Sequence, residues 1–243
     1  MRRQQKRKLI LFISLLLLPV TLFYISPYVI IEGALLGIAS GSMVVFSLLF
    51  LSSLVVGRAW CGWLCPTGGL QEIVAAATDK RPKIGRWNQL KYAIWVPWLA
   101  IIAVAAIIAG GIHSVDFFFL TWNGISVHQP VYFLPYFIVV GGLVLLSMVA
   151  GQRSGCHYIC PMAPFMILGR RIRNLAGWPA LQLGIKPDAD CSLCNRCSKA
   201  CPMNINVMSN LREGNLEHTE CILCGSCADT CPTDVISLGF GKW

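Results

Sequence analysis

Gly57-Arg58-Ala59-Trp60-Cys61-Gly62-Trp63-Leu64-Cys65-Pro66 recurs 95 positions on as Gln152-Arg153-Ser154-Gly155-Cys156-His157-Tyr158-Ile159-Cys160-Pro161. Both copies read Cys-x3-Cys-Pro with an arginine three residues ahead of the first cysteine. Gly57 and Gly151 stand just before them. A long apolar run leads into each copy, about Ala34 to Val56 and about Tyr132 to Ala150. An internal repeat of this kind in an apolar chain places its site at the interface between the halves.

Working outward, two more apolar runs complete the pattern, about Leu9 to Ser26 and about Tyr92 to Ile112. A bilayer core of about 30 Å takes roughly 20 apolar residues in a helix, and none of the four runs carries a charge. The first is expected to stay as an anchor, because no small-residue cleavage site follows it. The composition agrees. Of 243 residues, 56% are hydrophobic and 13% charged, against about 25% charged in soluble domains. Disorder is excluded by this apolar content, and a small secreted disulfide scaffold does not fit it.

The net charge is +9, and its distribution explains it. Arg2, Arg3, Lys6, Arg7 and Lys8 precede the first run. Arg58, Lys80, Arg81, Lys83, Arg86 and Lys91 lie between the second and third. Arg153, Arg170, Arg171, Arg173 and Lys186 follow the fourth. The remaining two loops have no Lys or Arg. Four spans therefore put every basic residue on one side, which the positive-inside rule assigns to the cytoplasm with both termini. That accounts for the charge without nucleic acid as a partner.

Beyond the turn-like Gly184-Ile185-Lys186-Pro187-Asp188 the chain turns mildly acidic. It carries Cys191-Ser192-Leu193-Cys194-Asn195-Arg196-Cys197-Ser198-Lys199-Ala200-Cys201-Pro202 and, thirty positions later, Cys221-Ile222-Leu223-Cys224-Gly225-Ser226-Cys227-Ala228-Asp229-Thr230-Cys231-Pro232. Both match the C-x2-C-x2-C-x3-C-P run of bacterial two-cluster ferredoxins, in which the fourth cysteine ligates the other cluster. Cys191, Cys194, Cys197 and Cys231 are thus expected on one [4Fe–4S] cluster, and Cys221, Cys224, Cys227 and Cys201 on a second. Zinc sites use pairs rather than such runs, and disulfides do not suit a cytoplasmic face. Ile205, Val207, Val235 and Ile236 are expected to pack around the clusters.

The expected architecture is membrane α-helical. Residues 1–187 form four transmembrane helices in a two-fold repeat, and residues 188–243 a small α+β double-cubane ferredoxin domain. Three readings compete for Cys61, Cys65, Cys156 and Cys160: buried apolar packing, redox-active thiols beside a quinone, or a metal centre such as a third Fe–S cluster. Spacing of i, i+4 puts each pair on one helical face, and Arg58 and Arg153 are expected to favour thiolate. Trp60, Trp63, His157 and Tyr158 read as an interfacial aromatic belt or as the vicinity of a quinone headgroup. No Cys-x-x-Cys-His haem motif, phosphate loop or dinucleotide fingerprint occurs.

Taken together, the four spans, the paired Cys-x3-Cys-Pro motifs and the C-terminal double motif resemble the NapH/MauN-type membrane ferredoxins over nearly the whole chain. The resemblance implies a quinol dehydrogenase subunit in the cytoplasmic membrane, exchanging electrons between quinone and other redox subunits of a complex. NosR-type regulators and FixG-type accessory proteins are similar in their cores but carry extra outer domains, for which the outer loops here are too short. The alternative is an assembly or maturation factor, or a redox sensor, using its clusters to reduce a metal or disulfide.

Overall fold

The computed structural model describes residues 2–78, 80–82, 85–187 and 189–241. Lys83, one of the basic loop residues, and Asp188, at the expected boundary, lie outside them.

Helix α1 (Arg3–Leu16) bends by 60° into α2 (Leu18–Thr21) and a 3-10 turn, Leu22–Ile25. Pro19 sits in the first turn of α2, where its missing N–H costs nothing. Pro27 then opens α3 (Pro27–Leu35). The expected second span is not one helix. Gly37 takes φ +69°, β1 (Ile38–Ser40) follows, and only then does α4 (Gly41–Val56) begin. The break has a tertiary cause: β1 pairs in parallel with β2 (Ser114–Asp116) from a distant loop, Ile38 opposite Ser114.

The first repeat continues with α5 (Ala59–Trp63) and α6 (Pro66–Thr78). After α7 (Leu90–Ile108) the second repeat runs α8 (Pro130–Ala150), α9 (Ser154–Tyr158) and α10 (Met162–Ala176). Two helices are long and apolar enough to cross a membrane, 86–108 with its leading 3-10 turn and 130–150, and the bent α1–α2 pair makes a third if it counts as one span. At 16 residues, α4 reaches about 24 Å. On α7 and α8, Val104, Ile107, Ile108, Phe137, Ile138 and Val149 stand exposed, an apolar surface larger than a water-facing helix commonly shows.

The repeats exchange helices: α6 packs on α8, and α10 on α4. The two Cys-x3-Cys-Pro turns are thereby held across one internal interface.

The C-terminal unit contains β3 (Ala180–Ile185), α11 (Arg196–Lys199), α12 (Val207–Arg212), α13 (Ser226–Asp229) and β4 (Ile236–Gly241). Strands β3 and β4 are antiparallel, with Ala180 opposite Gly241 and Ile185 opposite Ile236. Strand β3 thus precedes the expected boundary at 187/188 and pairs with a strand that follows it.

Candidate iron–sulfur and membrane-cysteine site

Each Cys-x3-Cys-Pro turn is closed in the same way. Cys65 N–H donates to Trp60 O at 3.0 Å, and Cys160 N–H to Gly155 O at 2.9 Å. Pro66 opens α6, and Pro161 caps α10. Ahead of the turns, Gly57 and Gly151 end α4 and α8 at φ +55° and +97°, their N–H groups bonded to Ser53 O and Ser147 O.

The cross-packing of α6 and α10 brings the turns together. Gln71 on α6 reaches the other repeat, with Oε1 accepting from Gly155 N–H at 2.8 Å and Nε2 lying 4.0 Å from Cys156 Sγ. Its counterpart on α10, Met166, places Sδ 3.5 Å from Cys61 Sγ. Arg153 donates to the carbonyl of Cys61, again from one repeat to the other. The thiols of Cys61, Cys65, Cys156 and Cys160 lie within electrostatic range of one another. Cys61, Cys65 and Cys156 are buried. Among the described residues no three His, Cys, Asp or Glu stand in position to hold a single metal ion. The sulfurs around a cubane stand farther apart, because four irons lie between them.

Arg58 and Arg153 have no exposed surface. Arg58 pairs at 2.7 Å with Glu220, which also accepts from Lys91 and from Asn88. Arg153 pairs at 2.7 Å with Glu72, which also binds Arg7 in a two-pronged contact. Burial would raise the Glu220 carboxyl, but Arg58 and Lys91 hold it down to about 2. Arg7 and Arg153 do the same for Glu72. Arg58 and Arg153 pull the Cys61 and Cys156 thiols down, as expected, but burial opposes them. Burial pushes the Cys61 thiol up to about 11 despite Arg58 and Arg153. Glu72, Glu220, Arg7 and Lys91 carried no sequence signal beyond their charge, since Arg7 and Glu72 lie 65 positions apart and Lys91 and Glu220 lie 129 apart.

In the C-terminal unit the two cysteine runs fold alike. Leu193, Asn195 and Asn204 take left-handed φ of 56°, 56° and 52°, and Leu223, Gly225 and Asp234, thirty positions on, take 51°, 72° and 53°. Alternating hands turn successive N–H groups inward, a nest suited to an anionic cluster. Strained backbone of this kind at non-glycine residues persists where a site demands it. Cys201 joins Cys221, Cys224 and Cys227 around one cavity, walled by Met203, Ile205 and Ile222. This is the crossed grouping expected for the second cluster. Burial pushes Cys201 up to about 12, with Cys221 and Cys224 adding to it. Cys191 and Cys197 lie within electrostatic range of each other, while Cys194 is exposed and Cys231 half-buried. Ile205, Val207, Val235 and Ile236 are buried in the surrounding core.

The two sites abut. A Cβ on Gly62 would collide with the carbonyl oxygen of Ile222, so only glycine admits the cluster loop here. Trp63 Nε1 donates to Leu223 O at 3.0 Å, and Arg170 donates to Cys221 O at 2.8 Å. Gln4 and Arg3 reach Cys224 O and Asp229 from α1. Cys61, Cys156, Cys224 and Cys227 share one buried cluster.

Trp63 sits at this internal junction, and His157 and Tyr158 are buried. His157 is 1% exposed, and burial lowers its imidazole to about 4. Trp60 bridges to a second apolar cluster that includes Cys160 and Phe165. Beside that cluster a cavity of about 550 Å3, lined by Phe46, Trp95, Trp98, Phe165 and Leu168, opens between α4, α7 and α10. The sequence offered no sign of it, because its aromatics come from three separated runs.

A family model described as a 4Fe-4S binding domain matches twice, over residues 39–85 and 132–179, and so reproduces the repeat. One described as a 4Fe-4S dicluster domain matches residues 190–236. The chain is 24% identical to YccM of Escherichia coli K12, a protein named for electron transport, over 74% of this chain and 51% of that one. It is 24% identical to the methylamine utilization ferredoxin-type protein MauN of Methylobacillus flagellatus, over 76% and 62%. An uncharacterized protein of Methanocaldococcus jannaschii is 23% identical over 79% and 78%. The chain thus spans about half of YccM and under two thirds of MauN. No solved structure matches it significantly.

Proposed function

Because the chain is a NapH/MauN-type 4Fe–4S protein, we propose that it is a membrane electron-transfer subunit working between the quinone pool and a redox partner protein. In this reading Cys191, Cys194, Cys197 and Cys231 hold one [4Fe–4S] cluster, and Cys221, Cys224, Cys227 and Cys201 a second. Bound there, such clusters supply one-electron storage and transfer. The chain's own residues fix their surroundings. Inward N–H groups neutralise charge, the apolar core excludes water, and the Gly62 contact holds the cluster loop against the membrane cysteines.

That contact is the observation that carries the proposal. A membrane-embedded redox site and a ferredoxin unit packed backbone to backbone suit electron passage between lipid and cytoplasm. The aromatic cavity beside Cys160 suits a quinone ring, which is flat, apolar and lipid-soluble. The exposed Cys194 end of the unit suits a partner's approach. The proposed topology keeps four crossings, with α4 as the short one, in the cytoplasmic membrane of the cell. Both termini and the clusters face the cytoplasm.

The test is the variant Cys61→Ser with Cys156→Ser, reconstituted with both ferredoxin clusters intact. Quinol-driven reduction of the clusters should be lost while reduction by dithionite persists. Unchanged quinol-driven reduction would sink the quinone coupling. A stable complex with a catalytic subunit would support electron delivery, whereas transient association with accumulation of an apo-enzyme would support the maturation reading.

A further inference from the structure

The charges packed against the four membrane cysteines do not balance. Arg58 and Lys91 share Glu220, and Arg153 and Arg7 share Glu72. Each set nets one positive charge. Both sit beside the same four thiols, and each contains the arginine that precedes one of the two cysteine pairs. Arg58 and Arg153 are wholly buried, yet Arg58 Nε and Nη2 and Arg153 Nε have no acceptor among the described residues. Arg58 stands beside Cys61, and Arg153 beside Cys156. Two uncompensated buried cations with idle donors are costly unless an anion belongs between them.

Four protonated thiols cannot be that anion, and neither can a pair of disulfides, since both are neutral. A cubane can. Its core carries two positive charges in the oxidised state, and four thiolates carry four negative ones, leaving a dianion. The thiols release four protons on loading. A third set, Arg170 and Arg173 on Glu217, stands at Cys221 and so faces the ferredoxin unit instead.

We propose that Cys61, Cys65, Cys156 and Cys160 together hold one dianionic [4Fe–4S] cluster, and that Arg58–Glu220–Lys91 and Arg153–Glu72–Arg7 are its fixed counter-charge. The proposal deepens the electron-transfer reading and rests on it for a purpose, but not for its test. The two sets are positioning groups: their charge sets how readily the centre takes one electron, because reduction adds a negative charge beside them.

The experiment uses the full chain, purified anaerobically and titrated with dithionite under spin-resonance detection. About twelve irons per chain are expected, against about eight if only the ferredoxin motifs are loaded. Glu72→Gln removes a negative charge and should raise the midpoint potential of one centre, leaving the other two in place. Arg7→Gln should lower the same one, and Lys91→Arg should leave it unmoved. Should Glu72→Gln fail to accumulate, Arg7→Gln reads the same potential in the opposite direction. About eight irons, with the four cysteines recovered as free thiols or disulfides, overturns the cluster. Twelve irons with unmoved potentials, or mere loss of occupancy, overturns the counter-charge. No step uses quinol, so a quinol-inert protein with three centres would refute the quinone reading and leave this one standing.

Discussion

Arg170 shows how single residues tie the two units together. Its guanidinium grips both oxygens of Glu217 and the carbonyl of Cys221 while 1% of its side chain is exposed. Arg170→Met strands Glu217 with only Arg173 and Asn174 as partners and leaves the Cys221 carbonyl unmet. The expected loss is about 3–5 kcal/mol, to be read from thermal unfolding with the clusters bound. Glu217→Gln in the same background should recover part of it, because the stranded charge is then gone. Residues of this kind were half legible in the sequence. The arginine three positions before each cysteine pair stood out because it repeats. Its acceptor did not, since Glu220 lies 162 positions from Arg58 and only the fold joins them. Cysteines were the reverse case, their grouping into runs being written in short-range spacing that survives whatever the rest of the chain does.

At the scale of elements, glycines with the same composition do opposite things. Gly57 and Gly151 end the helices ahead of the cysteine turns in backbone conformations that side chains avoid. Gly141 and Gly142 lie inside α8, with open space where a methyl group would stand and no constraint on φ. Alanine at 57 or 151 should cost about 1–3 kcal/mol. Alanine at 141 or 142 should be neutral or stabilise by up to about 1 kcal/mol. Melting temperatures of the four variants in one detergent give the comparison, and equal effects would refute it. Helix breaks were the least legible elements. Apolar content alone carries residues 34–56 through as one span, because hydropathy is blind to a β-pair such as Ile38–Ser114. Strand β3 was hidden for a related reason: its partner arrives more than fifty positions later.

For the whole molecule, the exchange of helices between repeats makes the halves interdependent. A protease site inserted in the exposed outer loop near Trp122, 67% exposed, should be cut without separating them. The two fragments are expected to migrate together in mild detergent and to keep their iron, because α6 stays on α8 and α10 on α4. Fragments that part after cleavage would show the exchange to be weak. The two-unit plan and the duplication were legible in the sequence, since both are patterns of type and spacing. The docking of the units was not, because it rests on shape at Gly62 and on charges that look like topology signals. That docking also orders events in time. Arg58 and Lys91 leave the ribosome well over a hundred residues before Glu220 does. Until then two cations face each other in a closing apolar pocket without their shared anion, and the pocket resists closure. The turns that carry Cys61 and Cys156 are therefore expected to close fully only after residue 220 has been made and can pair with Arg58 and Lys91.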